Sequence, residues 1–315
     1  MTRVLHLEGQ PPFMDVIVVG SLAYDSIQTP AAHGQRLLGG SATYAGLASA
    51  AHGASCGLVG VVGEDFRDED RQLLVEAGLH LDGVVTAEGR TFHWEGEYSG
   101  AMGEASTLNT ELNVFEAFDP KVPAAWTAPT VLFCANLHPA LQSKVLEQCT
   151  PTRLRMLDSM NLWIDIARPL LVEVFNRVDL VVLNDGEVRM LAGDANLVRA
   201  AQWLHGELRP GAILVVKRGE HGVLALHSSG MLHVPSVPSP GLVDPTGCGD
   251  SFAGTLAAHL SKGEGPVGRE ELRVGLERAA VVASFTLQGL GVSGLVAMEK
   301  DDREGRLEAL RALTR

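Results

Sequence analysis

Paired cysteines are missing. The four thiols, Cys56, Cys134, Cys149 and Cys248, form no C-x-x-C unit and are too few to frame 315 residues. A disulfide scaffold is thereby excluded, and reduced thiols in a cytoplasmic protein are expected. Long apolar runs are missing too, for no stretch approaches the ~18 uninterrupted apolar residues of a membrane span. The opening "MTRVLHLEGQPPFM" has one arginine, an early glutamate and two prolines but no apolar block. That argues against a signal peptide; residues 1–14 read as a loose leader, with Met14 as an alternative start. The 11 histidines lack metal-ligand spacing, so no structural zinc site is expected. Positive charge is in the minority: 25 Lys and Arg against 38 Asp and Glu leave a net charge of −13. An acidic surface argues against nucleic acid and leaves small molecules as the expected partners.

What is present is an ordinary soluble α/β composition, 46% hydrophobic with 35 glycines. Short β-branched runs alternate with helical patterns, the sequence form of a mostly parallel sheet covered on both faces. Strands are expected at "DVIVVG" from Asp15, "CGLVGVVG" from Cys56, "TVLFCAN" from Thr130, "RLRMLD" from Arg153, "DLVVLN" from Asp179 and "AILVVK" from Ala212. Helices are expected near 41–52, 66–77, 139–148, 164–178, 186–192, 197–208, 248–260 and 269–287. Residues 24–38 and 84–113 break the rhythm with short alternating segments and glycines. They predict a small antiparallel sheet projecting as a lid, or a pair of plain surface hairpins. No internal repeat or low-complexity linker divides the chain, so residues 15–315 read as one domain with the lid segments inserted.

The stretch "VDPTGCGDSFAG" (Val243–Gly254) places glycines and Cys248 at the entry of an apolar helix. Backbone N–H groups at such an entry form an anion site, and Asp250 lies in the first turn beside it. An aspartate there also serves as an ordinary dipole-friendly cap. Other segments follow at strand ends or helix starts: "GSLAYD", "LGGSATYAG", "LNDGEV", "VVKRGEHGVLAL" and "FTLQGLGVSGL". Taken singly, each is a tight turn, a helix entry or a hairpin.

In this order, from Asp15 to about Ser293, the segments together resemble the ribokinase-like (PfkB-type) carbohydrate kinases. "DPTGCGDSFAGTL" is similar to their D-T-x-G-A-G-D signature. The resemblance implies a doubly wound α/β fold with a small β-sheet lid, and ATP-dependent phosphorylation of a sugar, with Asp250 as catalytic base and Gly247, Cys248 and Gly249 as anion hole. Asp25 of "GSLAYD" and the Gly39–Gly40 pair would contact the acceptor, with Tyr44 standing where the family has asparagine. Asn184 and Glu187 would organise Mg²⁺ through water, and Lys217, Gly219 and Gly222 would lie near ATP. Asp244, Thr246, Gly289 and Ser293 would surround a monovalent cation such as K⁺. Many such proteins pair through their lids, which makes a homodimer plausible.

Three further sets of acceptor contacts are expected. Phe92 and Trp94 of "RTFHWEGEYSG" fall on one lid face by alternation. Asn136 of "CANLHP" lies at a strand's carboxyl end, as do Asp158 and Asn161 of "LDSMNLW". Aromatic lid residues suit a sugar face or a nucleobase, so a nucleoside kinase is the alternative, and a silent sugar- or nucleotide-binding sensor a second. A dehydrogenase would need G-x-G-x-x-G, whereas the glycines of "GLVGVVG" have other spacing, and "GVSGL" is not the G-x-S-x-G of a serine hydrolase. Cys248, at a helix N-terminus, is expected either to have a lowered pKa and react with thiol reagents or to be a small buried substitute for alanine.

Overall fold

The computed structural model describes residues 13–313. The thirteen strands among them are β1 (Val16–Val19), β2 (Ala23–Gln28), β3 (His33–Gly39), β4 (Cys56–Gly63), β5 (Leu79–Ala87), β6 (Phe92–Tyr98), β7 (Ala105–Glu111), β8 (Val131–Cys134), β9 (Leu154–Asp158), β10 (Leu180–Asn184), β11 (Ile213–Lys217), β12 (Val223–His227) and β13 (Gly230–Val234). Nine form the main sheet in the order β13-β12-β11-β10-β9-β8-β1-β4-β5. Pairing is parallel from β11 across to β5, and β12 and β13 add an antiparallel hairpin.

Alternation along the strands separates two cores. Val16 and Val18 of β1 pack with helices 41–51, 248–260 and 269–286. Ile17 and Val19 point to the opposite face, with Leu146, Leu171, Val188 and Leu204 from four other helical segments. The chain winds from β1 out to β5, then returns beside β1 as β8 and winds the other way. Where that direction reverses, the loops at the carboxyl ends of β1 and β8 part and leave a crevice for a ligand.

The four-stranded small sheet has the order β3-β2-β6-β7. Its outer pairs are antiparallel, but the central pair, β2 with β6, is parallel. The reason is topological: β2 continues from β1 and β6 from β5, so both leave parallel strands in one direction. The second small-sheet segment also begins later than expected, because Val84–Ala87 belong to β5 and pair with Gly60–Gly63. An edge strand alternates like a hairpin, which hides its membership of a parallel sheet.

Two other boundaries move. Helix 164–178 divides into Asn161–Ile166 and Arg168–Phe175, with Ala167 at φ −138°. Pro169 has no N–H for the carbonyl four residues earlier, so one continuous helix is disfavoured. Most of the expected leader, residues 1–12, lies outside the described residues; Met14 is buried and its carbonyl accepts the Thr130 N–H, so it belongs to the body. No helix among the described residues is long and apolar enough to cross a membrane.

Candidate active site

The helix Cys248–Leu260 starts from Gly247, held at φ 74°. A side chain at Gly247 would meet the ring of Tyr44, since a Cβ there would lie 2.3 Å from it. Further along, Gly254 lets this helix lie against helix 41–51, where a Cβ would stand 2.1 Å from the Ala45 carbonyl oxygen. The Ser49 hydroxyl donates to the Gly254 carbonyl at 2.8 Å. Two helix N-termini therefore open side by side onto the crevice. Of the first-turn amides, Cys248 N–H donates to Pro245 O at 3.2 Å and Asp250 N–H to its own carboxylate; those of 247 and 249 have no carbonyl of their own helix to bond, the arrangement that suits an anion.

Asp25 enters from β2 and is 4% exposed. It fits only because residue 39 is glycine, for a Cβ there would lie 1.9 Å from its Oδ2. The Gly40 N–H donates to it, while burial and the Asp244 and Asp250 charges push its pKa up to about 7. Gly40 itself needs φ 96°. Its loop is fastened by a pair the sequence did not flag: Ser41 N–H donates to Ser21 Oγ at 3.0 Å, and Ser21 N–H to Ser41 Oγ at 3.2 Å. Asp25 lies in register with Trp94 of β6, hence on the same face of the small sheet. The indole crosses Gly96 and donates to Thr107 Oγ1 at 3.2 Å. At the end of β6, Tyr98 accepts a hydrogen bond from the Thr246 hydroxyl at 3.1 Å and so fastens the small sheet to the 244–247 loop.

Asp250 faces Asp158 and Lys217. Burial first and the Asp158 charge second raise its pKa to about 7, against the pull of Lys217. Lys217 and Asp158 form an ion pair of 2.7 Å with side chains 19% and 4% exposed. Lys217 Nζ also lies 3.0 Å from where a Cβ on Gly249 would be, which sets the ammonium beside the entry of helix 248–260. Burial pulls the Lys217 pKa down, but the Asp158 and Glu187 carboxylates outweigh it and hold it above the usual value.

Asn184 and Glu187 form a capping box at the start of helix 185–192: Glu187 N–H donates to Asn184 Oδ1 at 2.8 Å, and Asn184 donates from N–H and Nδ2 to the two Glu187 oxygens at 2.7 Å each. Burial raises Glu187 to about 8 despite Lys217. Glu104, from the tip of the small sheet, faces the same helix start, 3.4 Å from where a Cβ on Gly186 would be. Nothing in the sequence singled it out. No group of three or more His, Cys, Asp or Glu among the described residues is arranged to hold a metal directly. With both Glu187 oxygens already hydrogen-bonded, the set fits a hydrated Mg²⁺ arriving with a nucleotide, held through water.

The sequence-predicted residues do not all converge. Asp244 receives the N–H groups of Thr246 and Gly291, both at 2.9 Å, and so ties its loop to the 289–293 segment. Ser293 Oγ donates to Leu290 O, and a Cβ at Gly289 would lie 2.7 Å from Ser293 Oγ. Gly219 opens the turn after β11, and Gly222, at φ 76°, passes so close to β13 that a Cβ would sit 2.2 Å from Val234 O. Asn136 accepts from Trp163 Nε1 at 2.8 Å instead of pointing free into the crevice. Asn161 is exposed, and its side chain accepts the Leu162 N–H within the first turn of its own helix. Phe92 stacks on Phe115 at 5.3 Å, and Phe115 on Phe118 at 5.5 Å, which makes it part of the packing beneath the small sheet. Cys248 is only partly buried; desolvation and the Asp244 and Asp250 charges push its pKa up, the opposite direction from a lowered, reactive thiol, and the thiol donates to Ala283 O at 3.5 Å.

A helix entry with open backbone N–H groups, a carboxylate beside it and a lysine facing it, with a second carboxylate on the small sheet, are the kinds of group that phosphoryl transfer requires. The protein belongs to the pfkB family of carbohydrate kinases, whose family model matches residues 14–297, and is an ATP-dependent kinase. It is 31% identical over 276 residues to a cytidine kinase of Thermococcus kodakarensis, covering 85% of this chain and 96% of that one. The fold is similar to a Burkholderia thailandensis nucleoside kinase in complex with inosine, with TM-score 0.78, 16% identity and coverage of 93% and 97%. It also resembles a putative ribokinase II from E. coli in complex with ATP and Mg²⁺, with TM-score 0.73, 17% identity and coverage of 93% and 99%.

Proposed function

We propose that the protein transfers the γ-phosphate of ATP to the primary hydroxyl of a nucleoside, with a pyrimidine ribonucleoside such as cytidine as the first candidate. The observation carrying the nucleoside reading is Trp94, which shares the Asp25 face of the small sheet and crosses Gly96. An aromatic surface beside a polyol-binding carboxylate suits a base attached to a sugar. The likeness to a cytidine kinase over most of both chains supports the same acceptor.

In this reading Asp25 accepts hydrogen bonds from ring hydroxyls and Asp250 takes the proton of the primary hydroxyl. The freed oxygen attacks the γ-phosphorus in line, the bond from that phosphorus to the β–γ bridging oxygen breaks, and ADP leaves. Lys217 and the 247–250 amides hold the charge on the transferred group. Mg²⁺, held through water near Asn184 and Glu187, would neutralise the β- and γ-phosphates. The small sheet acts as a lid that keeps water, a competing acceptor, from the phosphate. A monovalent cation would occupy the junction of the 244–246 and 289–293 loops. The test is coupled ADP release over nucleosides, pentoses, hexoses and their phosphates, with and without K⁺. Turnover of cytidine well above ribose is expected; turnover of a free sugar alone would replace the nucleoside with that sugar.

The pH dependence follows from the two raised carboxyls. Asp25 and Asp250, each near 7 in the free enzyme, must be ionised to accept hydrogen bonds and a proton. We expect kcat/KM to fall on an acid limb centred near pH 7, well above the usual range of aspartate. Stability moves the other way. Both groups bind protons more tightly folded than unfolded, so their contribution is present at low pH and is lost as pH rises from about 4 through 7. A flat kcat/KM profile from pH 5 to 8 would contradict the assignment.

A further inference from the structure

One polar atom near the 247–250 turn has no partner among the described residues and has no part in the reaction outlined above. Tyr44 is 1% exposed, and its hydroxyl is closed to water with no hydrogen-bond partner. The ring lies against Gly247, at the anion hole. The acidic groups that act on it are Asp25, Asp244, Cys248 and Asp250, the set that bounds the acceptor end of the site. Buried hydroxyls are almost always paired in native proteins, and an orphan is costly because its hydration is lost with nothing gained.

We propose that Tyr44 is the specificity-determining residue of this enzyme: its hydroxyl stays unpaired in the free protein and completes its hydrogen bonding only with a hydroxyl of the bound acceptor, beside those held by Asp25. The proposal rests on the reading of the site as an acceptor phosphotransferase. It divides Tyr44 into two parts with different duties. The ring fills the space next to Gly247 and keeps the anion hole in shape, and the hydroxyl reads the acceptor. An acceptor that offers the matching hydroxyl relieves the orphan, whereas an analogue lacking it leaves a buried polar group unpaired, which is how polar pockets discriminate strongly.

The test compares wild type with Tyr44→Phe, which keeps the ring, using cytidine, 2′-deoxycytidine and 3′-deoxycytidine. Removing an orphan hydroxyl is expected to raise the melting temperature of the ligand-free protein by about 2 °C. The cytidine KM is expected to rise by about ten-fold with little change in kcat or in the KM for ATP. Wild type should lose about ten-fold or more in kcat/KM with one of the two deoxy analogues, and Tyr44→Phe should no longer make that distinction. Tyr44→Leu, which removes the support of Gly247, should lower kcat instead. A Tyr44→Phe protein that melts below wild type, keeps the wild-type cytidine KM and discriminates the analogues unchanged would overturn the proposal. Wild type that phosphorylates ribose but not cytidine overturns the nucleoside reading alone, and ribose with 2-deoxyribose then decides the role of Tyr44. Wild type that uses neither overturns both.

Discussion

Asp250→Asn is expected to lower kcat by about two to four powers of ten, the reach of a general base, while ATP affinity changes by no more than a few fold. The asparagine keeps the volume and the hydrogen-bonding plane of the aspartate, so the helix entry at Gly247 and the amides around it stay in place. What it loses is the ability to take a proton. The same substitution should not harm the fold. The Asp250 pKa is raised to about 7 because burial and the Asp158 charge disfavour the ionised form. A neutral amide therefore removes an unfavourable charge, and the variant should melt at or above wild type at pH 8, where wild-type Asp250 is ionised. Loss of activity with stability held or improved is the pattern of a residue kept for chemistry at a cost in stability. Single-turnover rates, an ADP-induced thermal shift and a melting curve at pH 8 give the three readings. An asparagine variant with wild-type turnover would remove Asp250 from the role of base.

The parts of this arrangement that were legible in the sequence are those set by backbone need. Gly247, Gly40 and Gly222 adopt positive φ with no room for a Cβ, and the runs of apolar strands led to the parallel sheet. The alternation that put Phe92 and Trp94 on one face holds as well, since His93 turns the other way to meet Ser26 Oγ at 2.9 Å. The departures come from packing between segments distant in the chain. Whether Asn136 faces a ligand or Trp163 depends on a side chain 27 residues away. Phe92 finds Phe115 because helix and sheet close together, not because of any local pattern. Glu104 reaches Gly186 only because the tip of the small sheet folds back over the body. For Cys248, the helix entry was legible and its enclosure beside Asp244 and Asp250 was not; desolvation and those charges set the direction of the pKa change.

The ion pair between Lys217 and Asp158 leads to the second large expectation, because it joins stability to chemistry. Lys217→Met leaves Asp158 and Glu187 in a poorly solvated site without their cation. Removing one partner of a buried pair costs about 3–5 kcal/mol, which in a chain of this size lowers the melting temperature by about 6–15 °C. Loss of the ammonium at Gly249 also removes charge stabilisation from the transferred phosphate, and kcat should fall by about 10²–10³. Instability alone would explain a loss of activity, so the pH profile is the deciding measurement. Lys217 lowers the Asp250 pKa and Asp158 raises it. The acid limb of kcat/KM should therefore move to higher pH in Lys217→Met and to lower pH in Asp158→Asn. In the double variant Lys217→Met/Asp158→Asn, the opposing electrostatic effects on Asp250 offset each other and one uncompensated charge is gone. Its melting temperature should recover much of the loss while kcat stays low, because the anion hole still lacks its lysine. Opposite displacements of the limb, with stability and turnover separated in the double variant, are what a lysine that serves both the fold and the phosphate must produce. Displacements in the same direction would place Lys217 outside the electrostatic field of Asp250.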